Sequence, residues 1–208
     1  FGKSLAAGFK AEASNFGIKI VNEYEYSIAD RQFGPIVAKV RADQPDAIYA
    51  SGYFFTAGPL VSQLRSGGVN APVIGQEGYD GEQFIKIAGA FAEGVIITTS
   101  LDRDSTSPIA RTFITEYEKF SGNKVDMVSA STHTALKVVV AALRKAGSNN
   151  PDAIRKAISQ TQLSAATGNI SFNKLGEVRK NVEVQIVRDG DWHYHSTIRD
   201  QTLLAPPD

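Results

Sequence analysis

Over its first hundred residues the chain switches repeatedly between a helical period and short apolar runs, and this alternation restricts the possible folds more than any other feature. Leu5, Phe9, Ala13 and Phe16 recur at helical spacing, and Gly17 follows as a left-handed stop. Residues 18–26, rich in β-branched and aromatic side chains, are predicted to form a strand. Asp30 is placed to cap a helix carrying Phe33, Ile36, Val37 and Val40, with Pro35 in the first turn, where a missing N–H does no harm. Gln44-Pro45-Asp46 breaks the chain before a short apolar strand at 47–50. A helix with Leu60, Val61 and Leu64, a strand at 72–75, a short helix with Phe84, Ile85 and Ile87, and a strand at 95–99 follow in turn. Short loops join these elements. That pattern predicts a parallel sheet with helices on both faces, whose buried strands read as continuous apolar runs.

After Ser100 the alternation stops. A polar linker at 102–108 leads into three predicted helices, at 109–120, 130–146 and 151–160. Two of them carry large apolar faces: Ile109, Phe113, Ile114 and Tyr117 on the first, and Leu136, Val139, Val140 and Leu143 on the second. Such faces require cover. With no sheet in their own stretch, these helices are expected either to cover the first sheet or to belong to a second lobe whose sheet lies upstream. A short strand at 168–172 and a turn at 173–176 come next. Strands at 182–187 and 192–195, joined through Asp189-Gly190, then read as a hairpin.

Composition removes several functions. Lys plus Arg and Asp plus Glu number 22 each, so no basic surface is available for a phosphate backbone, and neither nucleic acid nor a membrane surface is an expected partner. The longest apolar stretches, such as 138–143, are too short to span a bilayer. The absence of cysteine excludes disulfides, thiolate metal sites and a thiol nucleophile. His193 and His195 point to one face of a strand, but two ligands do not make a metal site; His133 reads as a packing residue of its helix. Asp102, Asp104 and Ser105 lack the glycine turn and trailing glutamate of a calcium loop. No nucleophile elbow, phosphate-binding loop, dinucleotide fingerprint or HExxH pair is present. The expectation is a non-catalytic protein without a cofactor. The opening FGKSLAAGFKAEASNFG is not a secretory leader and reads as the body of an uncapped helix, so further residues are expected upstream.

The informative positions lie at strand ends, where sheets of this class bind their ligands. One predicted strand runs into Gly52-Tyr53-Phe54-Phe55 and the next into Gln76-Glu77-Gly78-Tyr79. Aromatic area beside one carboxylate suits a small ligand bearing an ammonium group. On patterning alone, an equally open alternative makes Tyr53 and Phe54 core residues and Glu77 a solvated loop acid.

At these residues the sequence resembles the branched-chain amino-acid-binding proteins, the Leu/Ile/Val type of type I periplasmic binding proteins that serve ABC importers. The similar stretches include FGKSLAAGFK, the long block from QFGPIVAKV through SGYFFTAGPL to VIGQEG, IAGAFAEGVIITTS, TALKVVVAALRKAGSNNPDAIRKAI and GNISFNKLGEVRK. The resemblance implies an extracytoplasmic protein of two Rossmann-like lobes that closes on its ligand by a hinge and delivers it to a membrane permease. It implies that residues 1–100 are the core of the second lobe, that 101–180 are mainly helices of an otherwise absent first lobe, and that 181–208 return to the second lobe as a hairpin and tail. It makes Tyr53 a packing or hydrogen-bonding contact and Glu77 the partner of the ligand's ammonium. Phe1 stands where the family has a tyrosine and Val128 where it has an aromatic, so two candidate contacts depart from the pattern. A sensory or regulatory ligand-binding domain of the same fold is the alternative. If the first lobe is absent, the helix faces left bare predict that the chain self-associates, swaps segments or keeps a partner chain.

Overall fold

A computed structural model describes residues 1–204. The chain forms two compact units, the first comprising Phe1–Thr98 with Ile186–Trp192, the second Thr99–Gln185 with the residues from His193 onward. The backbone therefore passes between units three times, after Thr98, Gln185 and Trp192. The segment that returns to the first unit is Ile186–Trp192.

In the first unit, α1 (Gly2–Ala13), α2 (Gly34–Asp43), α3 (Phe54–Ser66) and α4 (Glu82–Ala88) alternate with β1 (Ile48–Tyr49), β2 (Val73–Gly75) and β3 (Ile96–Thr99). The three strands pair in parallel, with Ile48 opposite Val73 and Ile74 opposite Ile96. β7 (Val182–Arg188) and β8 (Asp191–Ile198) extend the sheet in the order β1-β2-β3-β7-β8, and Val187 exchanges backbone hydrogen bonds with Gly94 and Val95. Asp189 and Gly190 both have positive φ, 53° and 77°, which is the geometry of a two-residue hairpin turn matched to strand twist.

The core of this unit is built from Phe33, Leu64, Val73, Tyr79, Phe84, Ile97 and Trp192 among others. Phe84 is fully buried and stacks on Tyr79 at 5.1 Å and on Trp192 at 5.7 Å. The Trp192 indole N–H donates to the Gly81 carbonyl at 3.1 Å, which fixes the hairpin tip against α4.

Two expectations fail here for physical reasons. Residues 18–26 have strand composition, yet among the described residues 19–26 make no backbone hydrogen bond to another segment. A strand needs a ladder partner, and composition cannot supply one. Side chains hold the segment instead: Asn22 and Tyr24 donate to Asp43 at 2.9 and 2.5 Å, and Tyr26 donates to the Ser51 carbonyl. The second failure concerns Asp30. It accepts from the Ser27 amide at 2.8 Å and caps a local turn, while α2 begins at Gly34 after an uncapped Phe33.

The second unit contains α5 (Pro108–Ser121), α6 (Met127–Ala146) and α7 (Pro151–Ser159), with an antiparallel sheet of β4 (Leu163–Ala165), β5 (Gly168–Phe172) and β6 (Val178–Arg179). β4 and β6 are too short for a periodic signal, so only β5 was predictable. Asp126 and Ser129 form a reciprocal capping box at the start of α6. Phe113 of α5 is buried with Leu101, Val125, Ala130 and Ala166. α6 buries a stripe of smaller residues, Ala130, Thr134, Val138 and Ala142. Its larger stripe, Leu136, Val139, Val140 and Leu143, remains exposed, so of the two expectations for this face, cover by the first sheet is not what is seen.

Candidate ligand half-site

The two strand-end turns that carry the candidate residues both belong to the first unit, and side chains tie them together. Three consecutive carbonyls at the end of β1 each accept a side-chain hydrogen bond of 2.6 Å: Ala50 from the Tyr79 hydroxyl, Ser51 from the Tyr26 hydroxyl, and Gly52 from the Gln76 amide N–H. The same Gln76 side chain accepts from the Gly78 amide at 2.6 Å. Burial raises Tyr79 well above the usual tyrosine range and raises Tyr26 as well, so both remain protonated donors at neutral pH.

The turns touch at their backbones. A Cβ added to Gly78 would lie 2.2 Å from the Gly52 carbonyl oxygen, so glycine is required at 78 for this approach.

Glu77 opens a single 3₁₀ turn after Gln76 and is half-buried. Among the described residues its carboxylate has no hydrogen bond or ion pair. The Tyr49 hydroxyl is raised, first by burial and second by the Glu77 charge, which places the carboxylate's field at the end of β1. Tyr53 precedes α3 in extended conformation and is 37% exposed. Its ring stacks with Phe1 at 5.2 Å and with Phe55 at 5.6 Å, and Arg31 lies 5.2 Å from the Phe55 centroid. The Tyr53 hydroxyl has no hydrogen-bond partner among the described residues, so it can bond a ligand while Phe1 and Phe55 hold the ring.

Of the five residues singled out from the sequence, the fold thus places Phe1, Tyr53 and Glu77 along one end of the first unit's sheet, linked through stacking and through Gln76. Phe54 packs against the core cluster, and Phe55 takes its place beside Tyr53. Val128 lies in the second unit, in the first turn of α6, and is 62% exposed. Sequence reasoning missed Phe55, Gln76 and Tyr26. Gln76 carried a hint, as a polar residue at the tip of an apolar strand, and Phe55 another, as the last aromatic of the strand-end run 52–55. His193 contacts Asp104 at 3.4 Å and His195 contacts Ser196 at 3.1 Å; among the described residues no group of three or more potential metal ligands is assembled.

A parallel sheet flanked by helices, entered and left through three chain passes, defines the type I periplasmic-binding fold. The chain belongs to the family described as "Periplasmic binding protein", whose profile matches residues 1–191. It is 27% identical over 180 residues to the Leu/Ile/Val-binding protein homolog 3 of Brucella melitensis, covering 86% of this chain and 48% of that protein. The crystal structure of the leucine binding protein LivK of Thermotoga maritima superposes with a TM-score of 0.89 at 25% identity, over 95% of this chain and 57% of that one. The Streptococcus pneumoniae branched-chain amino acid transporter substrate binding protein LivJ, solved with isoleucine, shares the fold with a TM-score of 0.80 at 22% identity, over 90% of this chain and 54% of that one. The chain spans about half the length of the curated relatives it matches. These relatives are binding proteins, and no helix of the described residues is long and apolar enough to cross a membrane.

Proposed function

We propose that this chain is part of the extracytoplasmic solute-binding component of an ABC importer, and that it captures a branched-chain or related amino acid without chemical conversion. The first unit is the lobe that recognises the ligand's ammonium. The helices of the second unit belong to the opposing lobe, and the three chain passes after Thr98, Gln185 and Trp192 form the hinge about which the lobes close. A permease is the partner that receives the ligand.

One observation carries this reading: among the described residues the half-buried Glu77 carboxylate has no hydrogen bond or ion pair, and it sits on a turn bonded to the turn of Tyr53. A ligand ammonium removed from water needs an anion, because an uncompensated buried charge costs several kcal/mol. Glu77 supplies the charge, the Tyr53 hydroxyl a directional contact, and the Phe1–Tyr53–Phe55 row an apolar wall. The names of the relatives, which specify leucine, isoleucine and valine, support the ligand class.

Calorimetry on the intact protein with L-leucine, L-isoleucine and L-valine tests the proposal. Glu77→Ala is expected to cost more than about 2 kcal/mol of affinity, roughly 30-fold or more in Kd. A variant that still binds these amino acids with wild-type affinity removes Glu77 from the site.

A further inference from the structure

We propose that Gln76, which need not touch the ligand, is the positioning residue that sets the separation of Glu77 from Tyr53. Gln76 is 2% exposed, and both ends of its amide are used: the N–H donates to Gly52 O and the carbonyl accepts from Gly78 N, each at 2.6 Å. Gly52 immediately precedes Tyr53, and Gly78 immediately follows Glu77. One planar group therefore bridges the backbones next to the two binding side chains, and no rotation about the amide can release one bond without straining the other. The bridge is tight because Gly78 has no Cβ; the nearest backbone atom to such a Cβ would be the same Gly52 oxygen. The Tyr79 and Tyr26 hydroxyls anchor the two preceding carbonyls, at Ala50 and Ser51. Tyr79 thereby ties the far end of the Glu77 turn to Ala50, and among the described residues the Gln76 bonds are the ones that join that turn to Gly52, the residue next to Tyr53. Ion–ion attraction falls with distance, and it falls most steeply where water is excluded. The spacing that Gln76 holds thus governs how well one ligand satisfies Glu77 and Tyr53 together. The ligand arm of this proposal rests on the function proposed above; the geometric arm does not.

Two variants separate positioning from a general structural role. Gln76→Leu keeps the volume and removes both bonds. Gln76→Glu keeps the shape, and its carboxyl donates and accepts like the amide only while protonated; burial favours that neutral form. In Gln76→Leu, amide exchange of Gly78 is expected to accelerate at least about tenfold, the loss of about one buried hydrogen bond, while Leu64 and Phe84 keep their protection. In Gln76→Glu, the carboxylate formed as pH rises still accepts from the Gly78 N–H but repels the Gly52 oxygen to which it can no longer donate, so the turns part: the Gly78 protection factor should match wild type at pH 5 and fall about tenfold by pH 8, a pH dependence absent from wild type. Affinity for L-isoleucine should follow the same course, weakening about tenfold in Gln76→Leu and recovering at the acid end in Gln76→Glu. Unchanged Gly78 protection in Gln76→Leu overturns the proposal. So does loss of protection that spreads to Leu64 and Phe84, and so does altered Gly78 exchange with unaltered affinity. A wild-type protein that binds none of the branched-chain amino acids defeats the functional reading alone, and exchange at Gly78 still decides whether Gln76 locks the two turns.

Discussion

The two units bury their apolar residues in different ways. The first encloses large side chains in one continuous cluster, with Phe33, Leu64, Tyr79, Phe84 and Trp192 at its centre. The second has two small clusters, around Phe113 and around Val138, and leaves Leu136, Val139, Val140 and Leu143 of α6 facing outward. A parallel sheet with helices on its faces gives large residues an interior, whereas α6 lies against a short antiparallel meander through alanine- and threonine-sized residues. The lesson is that a sheet with helices on its faces gathers large side chains into one core, whereas the second unit divides its smaller buried residues between two clusters.

The largest expected effect tests self-sufficiency of the first unit. Phe84→Ala empties the space between Tyr79 and Trp192 and should cost about 3–5 kcal/mol in chemical denaturation, with loss of amide protection in β1–β3 before the α6 amides. Equal loss in both units would erase the contrast. Gly78→Ala comes next. Its Cβ cannot fit 2.2 Å from the Gly52 oxygen without parting the two turns, at about 1–3 kcal/mol measured by thermal unfolding. In the second unit, removing the α6 cap by Asp126→Ala should cost about 1 kcal/mol.

A double change, Leu136→Lys with Val140→Lys, should alter stability by less than about 0.5 kcal/mol, because both residues are exposed. The same change should lower any self-association seen by light scattering, since it breaks the apolar stripe. Strong destabilisation by this pair would mean that α6 buries its larger face after all.

The smallest effect is a pH dependence. His133 stacks on Phe113 at 4.5 Å, and its buried Nδ1 has no hydrogen-bond partner among the described residues. Burial, and then the Lys137 charge, hold its pKa below the usual histidine value, with Glu116 acting weakly in the opposite direction. The unfolded chain therefore binds the proton more tightly. The neutral ring's contribution is present above about pH 6.5 and is lost as pH falls through that value. His133→Gln should flatten the decline in melting temperature between pH 7 and 5.

The sequence by itself determined the order of helices and strands from the second helix through residue 99, the Asp189-Gly190 hairpin, and the arrival of Tyr53 and Glu77 at neighbouring strand ends. These are local matters: periodicity, turn chemistry and strand order act over a few residues. Tertiary structure alone decided that residues 18–26 stay unpaired, that Phe54 enters the core while Phe55 flanks Tyr53, that α6 buries its small stripe, and that Gln76 bridges two turns. Each of those outcomes depends on a group distant in sequence: a ladder partner, an opposing helix face, or a carbonyl 24 residues away. Periodicity says which residues seek cover, and only the packed chain shows which of them find it.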